Sequence, residues 1–348
     1  MNSLKKTGCK LSLIVADDKG NEIVNDISVF DVGKPSGRKE RWLKTRKNVY
    51  KVALKINADI YHFHDPELIS AGKKLSKKGK KVIYDIHEDT PRQMLDKPYL
   101  PRTIAKIISV LFERFENNTV KHFSALICAT PFIRDRFLKF HPNVEVVNNF
   151  PLFEEYDDNG GTIIKDHSIC YIGNVAQVRG IESMVKMMDY LDDNIRLNMA
   201  GLVCGSDVDL LENLKKTNGW KKIIYHGLVN RKEIYKLMNK SKIGLVLFHP
   251  IPNHLDALPT KMFEYMIAGI PIVVSDFPFW KGIVEENHCG LTADPLNPQE
   301  VAEKIQYLLD KPEIAREMGA NGRKAVLEKY NWGIEEKKLV DIYNSLLK

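Results

Sequence analysis

Apolar residues along this chain fall into short β-branched runs, separated by stretches with helical spacing. The first half offers strand candidates at 10–15 ("KLSLIV"), 27–32, 59–63, 81–86 ("KVIYDI"), 125–130 and 144–149. The second half offers 168–173 ("SICYIG"), 195–201, 222–227, 243–248 ("IGLVLF") and 271–276 ("PIVVSD"). Helical patterns separate most of them, which predicts βα units and parallel sheets. The segment "NFPLFEEYDDNGGTIIKDH" is acidic and rich in Gly and Asp, so a domain boundary is expected near 150–166.

One stretch sets a helix directly against a buried strand: "DALPTKMFEYMIAGIPIVVSD", Asp256 to Asp276. Pro259 suits a first helical position and Gly269 a left-handed helix end. The following apolar run reads as a strand covered on both faces. Thr260 and Glu264 share a helix face, one turn apart. The exposed N–H groups at such a helix start suit a phosphate. An ordinary capped helix is the plainer reading of this segment taken alone.

A second helical pattern, "TIAKIISVLFERFENN", puts Ile104, Ile107, Ile108, Leu111, Phe112 and Phe115 on one stripe. Core packing is the default expectation for it. Charge adds an alternative, because residues 1–150 carry a net +11 and the remainder −4 within a total of +7. With Arg102, Lys106 and Arg114 nearby, the stripe could touch an anionic bilayer. The Lys73–Lys81 run reads as a solvated helix end, and no nucleic-acid module is present, so no nucleic-acid partner is expected.

The composition, 44% apolar and 28% charged, is that of a globular protein with room for two cores. No apolar run reaches a membrane span, and the start lacks signal-peptide character. Cys9, Cys128, Cys170, Cys204 and Cys289 are scattered without a CxxC pair, as in a reducing cytoplasm.

Candidate chemistry lies at strand ends. "YIGNVAQVRG" places Gly173 and Asn174 after a strand, then Arg179 and Gly180 before a helix, a plausible diphosphate cradle. "IRLNMAG" ends on Gly201, and Gly227 with Leu228 forms a loop able to read a base through main-chain groups. In the first half "DIYHFHDPELI" ends on His62, His64, Asp65 and Glu67, and "VIYDIHED" on Asp85, His87, Glu88 and Asp89. Ligands of open α/β sheets bind beyond such carboxyl ends. His62 is expected to be a satisfied core histidine and His64 a functional one. Asp65 and Asp85 could simply cap helices. "DVD" at Asp207–Asp209 is expected to start a helix rather than hold a metal.

In order and spacing, residues 166–348 resemble the donor domain of retaining glycosyltransferases of family 4 (glycosyl transferases group 1), above all in "LPTKMFEYMIAGIPIVVSD". The resemblance implies an α/β, GT-B fold: two Rossmann-like domains facing a central cleft, with a C-terminal helix returning to the first. The implied domains are 1–155 on the acceptor side, 166–330 on the nucleotide-sugar donor side, and a crossover helix at 331–348. It implies that Glu264 holds the ribose hydroxyls, and that Arg179, Lys261 and the helix start hold the diphosphate. Gly173, Asn174, Gly201, Leu228, Leu258 and Thr260 complete the implied donor contacts. The "HxH" loop resembles the family's acceptor-side loop, which implies that His64 lies beside the reacting sugar.

Three departures stand out. Asp256 occupies the place of the family's first Glu, eight positions before Glu264, and Asn174 replaces its usual Arg. The chain also opens on what looks like the end of a first helix and a second strand, so the central opening strand is expected to be missing, leaving its neighbours with unpaired edges. An upstream start and a fragment with impaired activity both stay open.

The expected activity is transfer, with retention, of a hexose-type sugar from a nucleoside-diphosphate sugar to a saccharide acceptor, lipid-linked or free. The implied setting is surface polysaccharide assembly, capsule or O-antigen, on the cytoplasmic side with peripheral contact to the inner membrane face. No metal or cofactor is expected. The alternatives are a nucleotide-sugar epimerase on the same scaffold and a truncated, inactive sugar-nucleotide binder. A dinucleotide dehydrogenase is disfavoured, because no GxGxxG follows a strand.

Overall fold

The computed structural model describes residues 1–95, 101–152, 166–203 and 205–348, apart from the side chains of residues 38 and 206. The linker core at 153–165 and Cys204 lie outside the described residues. The chain divides into two compact units: Met1–Asn148 with Glu335–Lys348, and Asn149–Ile334. The second unit thus begins at Asn149, ahead of the expected end at 155, because Phe150 packs on Phe263 and Tyr330 of that unit. The final helix, Trp332–Leu347, places most of its length in the first unit, where the buried Glu335 accepts from the Asn148 amide at 2.9 Å.

Unit 2 is built on one six-stranded parallel sheet, ordered β10-β9-β8-β11-β12-β13. Its strands are β8 (Ser168–Ile172), β9 (Arg196–Ala200), β10 (Ile223–Gly227), β11 (Ile243–Val246), β12 (Ile272–Ser275) and β13 (Gly290–Ala293). Alternate side chains feed opposite cores: Cys170, Ile172, Val246 and Ile272 on one face, Ile169, Tyr171, Leu245 and Val273 on the other. Both faces are therefore dry, which is why these strands read as continuous apolar runs rather than alternating ones. The chain runs outward from β8 through β9 to β10, then returns to β11 on the other side of β8. The ends of β8 and β11 form the topological switch point, where crevices open in such sheets.

Unit 1 carries two sheets. β1 (Ser12–Val15), β3 (Ile27–Asp31) and the antiparallel β2 (Glu22–Val24) form one, in the order β1-β3-β2. The parallel strands β4 (Ile60–Phe63), β5 (Lys81–Ile86), β6 (Ala125–Cys128) and β7 (Val144–Val146) form the other. β1 and β4 are both edge strands, and all four residues of β4 stay half-buried while those of β6 are buried.

The Arg102–Val120 helix departs from the default expectation. It turns Ala105, Ser109, Glu116, Thr119 and Val120 inward. Ser109 donates to the Pro91 carbonyl, and the buried Glu116 accepts from Tyr84 at 3.0 Å and pairs with Arg136. Most of the apolar stripe faces out instead: Ile107 is 60% exposed and Leu111 59%, with Ile104, Ile108 and Phe115 exposed as well, while Phe112 packs on the core. Among the described residues no helix is long and apolar enough to cross a membrane.

Candidate functional site

Three neighbouring strands of unit 2 end on glycines: Gly173 after β8, Gly201 after β9 and Gly227 closing β10. Gly173 follows β8 at φ 142° and Gly201 follows β9 at φ 147°, a region that favours glycine. A Cβ on Gly201 would collide with the Gly173 carbonyl, and one on Gly173 with Lys261 Nζ. Backbone hydrogen bonds lock the ends together: the Gly173 amide donates to the Ala200 carbonyl and the Gly201 amide to the Gly227 carbonyl, each at 2.8 Å. The turn at Gly173 thus leaves a recess one side chain deep, and Lys261 reaches into it.

Lys261 comes from the Thr260–Ile267 helix. Pro259 is the residue before that helix, in extended conformation, rather than its first helical residue as the sequence predicts. An extended backbone there lets the chain enter from the 256–259 loop, and Gly269 at φ 69° follows the helix as expected. Lys261 Nζ is buried without a hydrogen-bond partner, although other atoms of the residue reach solvent. It sits 4.1 Å from the centre of the Tyr171 ring and 5.1 Å from that of Phe248. The Arg179 guanidinium stacks over the same Phe248 ring at 4.1 Å. Burial, and then the charge of Arg179, push the Lys261 ammonium well below its ordinary value, against a smaller opposing pull from Glu264.

His254 borders this group as a neutral imidazole. Its ring lies 4.8 Å from Phe248, and burial lowers it to about 4, partly opposed by the His249 carbonyl that accepts its Nδ1–H at 3.0 Å. Phe248 follows β11, and the His249 amide donates to the Val178 carbonyl at 2.9 Å, which ties this end to the Arg179 loop. Two cations therefore converge at the switch point around one aromatic ring. Cation–π attraction of about 0.5–2 kcal/mol offsets part of the cost of burying them. An ammonium with no anion or acceptor beside it is a costly arrangement in a finished core, and a ligand oxyanion would relieve it.

Glu264 lies one turn further along the same helix and is only 7% exposed. It pairs with Arg231 at 2.8 Å. Arg231 opens the Arg231–Lys240 helix, whose cap is reciprocal: Asn230 accepts from the Glu233 amide and Glu233 accepts from the Asn230 amide. A buried carboxylate held by one arginine fork keeps spare acceptor capacity for hydroxyls.

The remaining donor residues are less constrained. Asn174 is exposed, and its carbonyl accepts from Tyr171 at 2.6 Å. Leu228 is 72% exposed in the loop after β10. Leu258 packs on the core, and Thr260 is the first helical residue. Asp256, in the place of the family's first Glu, is exposed at the end of the short Pro252–Leu255 helix. Asp207 precedes the Val208–Leu214 helix, as expected. Arg231, His254 and Phe248 carry no predicted role. The signal for Arg231 was its place directly after a capping Asn in "VNRKE".

In unit 1, β4 and β5 run parallel with His62 opposite Ile83 and Phe63 opposite Tyr84. Residues two apart share a face, so His62 with His64, and Asp85 with His87, project together at the carboxyl ends. Asp85 Oδ2 lies 3.1 Å from His62 Nε2 and 3.3 Å from His64 Nδ1, and Oδ1 lies 3.4 Å from His87 Nε2. Burial opposes the Asp85 charge, yet bonds from the three imidazoles hold its carboxyl well below the usual range. Asp85 is therefore the hub of this cluster rather than a helix cap. His62 is confined as a core histidine would be, its second nitrogen 2.8 Å from the Tyr343 hydroxyl, and burial lowers its pKa. His64 and His87 are the exposed members, and His87 is raised by its bond to Asp85.

The family model for "Glycosyltransferase Family 4" matches residues 1–150, and that for "Glycosyl transferases group 1" matches 153–325. The chain belongs to the group 1, family 4 glycosyltransferases. An uncharacterized glycosyltransferase of Methanocaldococcus jannaschii is 28% identical over 178 residues, 50% of this chain and 44% of that protein. The capsular polysaccharide biosynthesis glycosyltransferase CapM of Staphylococcus aureus is 22% identical over 184 residues, 52% of this chain and 46% of that protein. These matches span a little under half the length of each relative. The crystal structure of the Anabaena protein HepE in complex with UDP superposes with a TM-score of 0.71 at 14% identity, covering 92% of this chain and 86% of that one. The fold is GT-B, with two Rossmann-like domains.

Proposed function

We propose that the chain transfers a sugar from a nucleoside-diphosphate donor to a saccharide acceptor, with retention at the anomeric carbon. The observation that carries this reading is the buried, partnerless Lys261 ammonium beside Arg179 at the switch point of unit 2. The pair would meet the diphosphate, and Glu264, steadied by Arg231, would take the ribose hydroxyls. Positive charge fixed in advance, where negative charge grows on a leaving group, is the strongest stabilisation open to such a site. Arg179 and Lys261 supply that charge, so the departing diphosphate has no need of a divalent ion. His64, the exposed histidine at the end of β4, is assigned to the sugar and acceptor. Retention follows the family, and Asp256 in place of a Glu leaves the donor sugar to be read by experiment.

The acceptor is proposed to be a lipid-linked saccharide of surface polysaccharide assembly. Support comes from likeness to the capsular enzyme and from the exposed Ile104–Phe115 stripe flanked by exposed Arg102, Lys106 and Arg114. An apolar face bordered by cations suits an anionic membrane surface. Donor turnover with and without saccharide acceptors tests the first proposal. Release of the nucleotide with appearance of a new glycosidic product supports transfer, while conversion of the donor without acceptor would replace it with an epimerase. Vesicle sedimentation tests the second: binding to anionic but not neutral vesicles, weakened by salt, is expected, and no binding at low salt contradicts it.

A further inference from the structure

We propose that the His62, His64, Asp85 and His87 cluster of unit 1 is a transition-metal site that takes a borderline divalent ion of the zinc class. Ligand atoms of His62, His64 and Asp85 all lie within 4.8 Å of one another. A tetrahedral ion with bonds of about 2.0–2.1 Å holds its ligand atoms about 3.3–3.4 Å apart. The Asp85 oxygens already stand 3.1, 3.3 and 3.4 Å from His62 Nε2, His64 Nδ1 and His87 Nε2. His64 Nδ1 and His87 Nε2 are closer, at 2.8 Å, sharing the place of one proton that an ion would displace. Both rings sit on the exposed side of the cluster, with side chains 57% and 39% exposed, so they can part.

The donor set decides which ion. Three imidazoles and one carboxylate suit zinc, nickel or copper, whereas magnesium and calcium want oxygen throughout. Order also comes from the sequence. H-x-H closing one strand and D-x-H closing its parallel neighbour project four side chains from one face, because each pair is two residues apart, and the register of His62 opposite Ile83 brings His64 level with Asp85. The buried half is held rigidly: His62 and Asp85 are 17% and 13% exposed. His62 Nδ1 meets the Tyr343 hydroxyl at 2.8 Å, so with Nδ1–H donating to that oxygen, Nε2 presents its lone pair to the ion. Such a second hydrogen bond fixes the tautomer of metal-binding histidines. This site is separate from the cations of unit 2 and does not depend on them.

The test is calorimetric titration of the untagged chain with zinc chloride, paired with the visible spectrum of the cobalt(II) form. One ion per chain is expected, with intense tetrahedral cobalt bands and no magnesium heat. His64→Ala and His87→Ala, both at exposed positions, should each weaken zinc binding about a hundredfold or more, and Tyr343→Phe about tenfold. Circular dichroism of each variant separates ligand loss from misfolding. Absence of zinc binding at millimolar ion would overturn the site. So would affinity that survives both histidine changes, or a sulfur-to-cobalt charge-transfer band that places the ion on a cysteine.

Discussion

Replacing Lys261 by methionine isolates the buried ammonium on which the donor reading rests. Methionine keeps an unbranched stem and helix propensity, so the Thr260–Ile267 helix should persist. Without ligand, the change removes a buried charge that has no hydrogen-bond partner and sits in the first turn of a helix, where a cation is unfavourable. It also gives up cation–π contacts to Tyr171 and Phe248, worth about 0.5–2 kcal/mol. Leaving a polar group buried and unpaired costs about 1–3 kcal/mol. The balance predicts a ligand-free variant at least as stable as wild type, by roughly 0–2 kcal/mol. Binding should move the other way. A unit charge about 4 Å from a phosphate oxygen contributes about 4 kcal/mol at an effective dielectric of 20, and a charged hydrogen bond nets about 1.5–3 kcal/mol. A loss of about 2–4 kcal/mol corresponds to roughly 30- to 800-fold weaker nucleoside diphosphate binding. Thermal melts of the free protein and calorimetry with the ligand read the two effects separately. A variant that is clearly destabilised while binding the diphosphate as tightly as wild type would show that Lys261 is structural, and the reasoning would fail.

Three further outcomes follow from named contacts. Glu264→Ala should weaken nucleotide binding by about 1.5–3 kcal/mol and remove the ion pair with Arg231, so unchanged affinity in a folded variant would refute the ribose assignment. His64→Ala should leave nucleoside diphosphate affinity nearly intact while turnover falls about 10²-fold or more, and Arg179→Ala should harm both; equal binding losses, or full turnover in His64→Ala, would contradict this division. His254 has a folded pKa of about 4, below its unfolded value of about 6.5, so its contribution is complete above pH 6.5 and is lost as pH falls toward 4. Between pH 7 and 5 the wild type should therefore lose about 1–2 kcal/mol more stability than His254→Gln, read by urea unfolding, and parallel losses would refute the assignment.

Unit 2 was legible because its strands are buried on both faces and therefore written as unbroken apolar runs. β13 escaped notice: "GLTA" opens on glycine and has too few apolar residues to stand out. β2 is three exposed residues with no periodicity to find. The Lys261 helix was visible through its Pro and Gly punctuation, but its neighbours were not. Arg231, Phe248 and His254 reach the site from separate elements, and only the sheet order brings them together. The Arg102–Val120 helix shows a different limit. Periodicity identifies an apolar face without saying what covers it, and here Glu116, Ser109 and Ala105 face the core instead. In unit 1 the strand-end histidines were apparent, whereas their convergence on Asp85 needed the register of β4 against β5.

The central claim is that unit 2 holds a nucleoside diphosphate through charge at Lys261 and Arg179. Calorimetric titration of the wild-type chain with a panel of nucleoside diphosphates and the matching nucleosides tests it most directly. At least one diphosphate should bind, and its nucleoside should bind about a hundredfold more weakly, because the phosphates carry most of the charge-assisted contacts. Failure of every diphosphate to bind at millimolar concentration, or a nucleoside that binds as tightly as its diphosphate, would contradict the account.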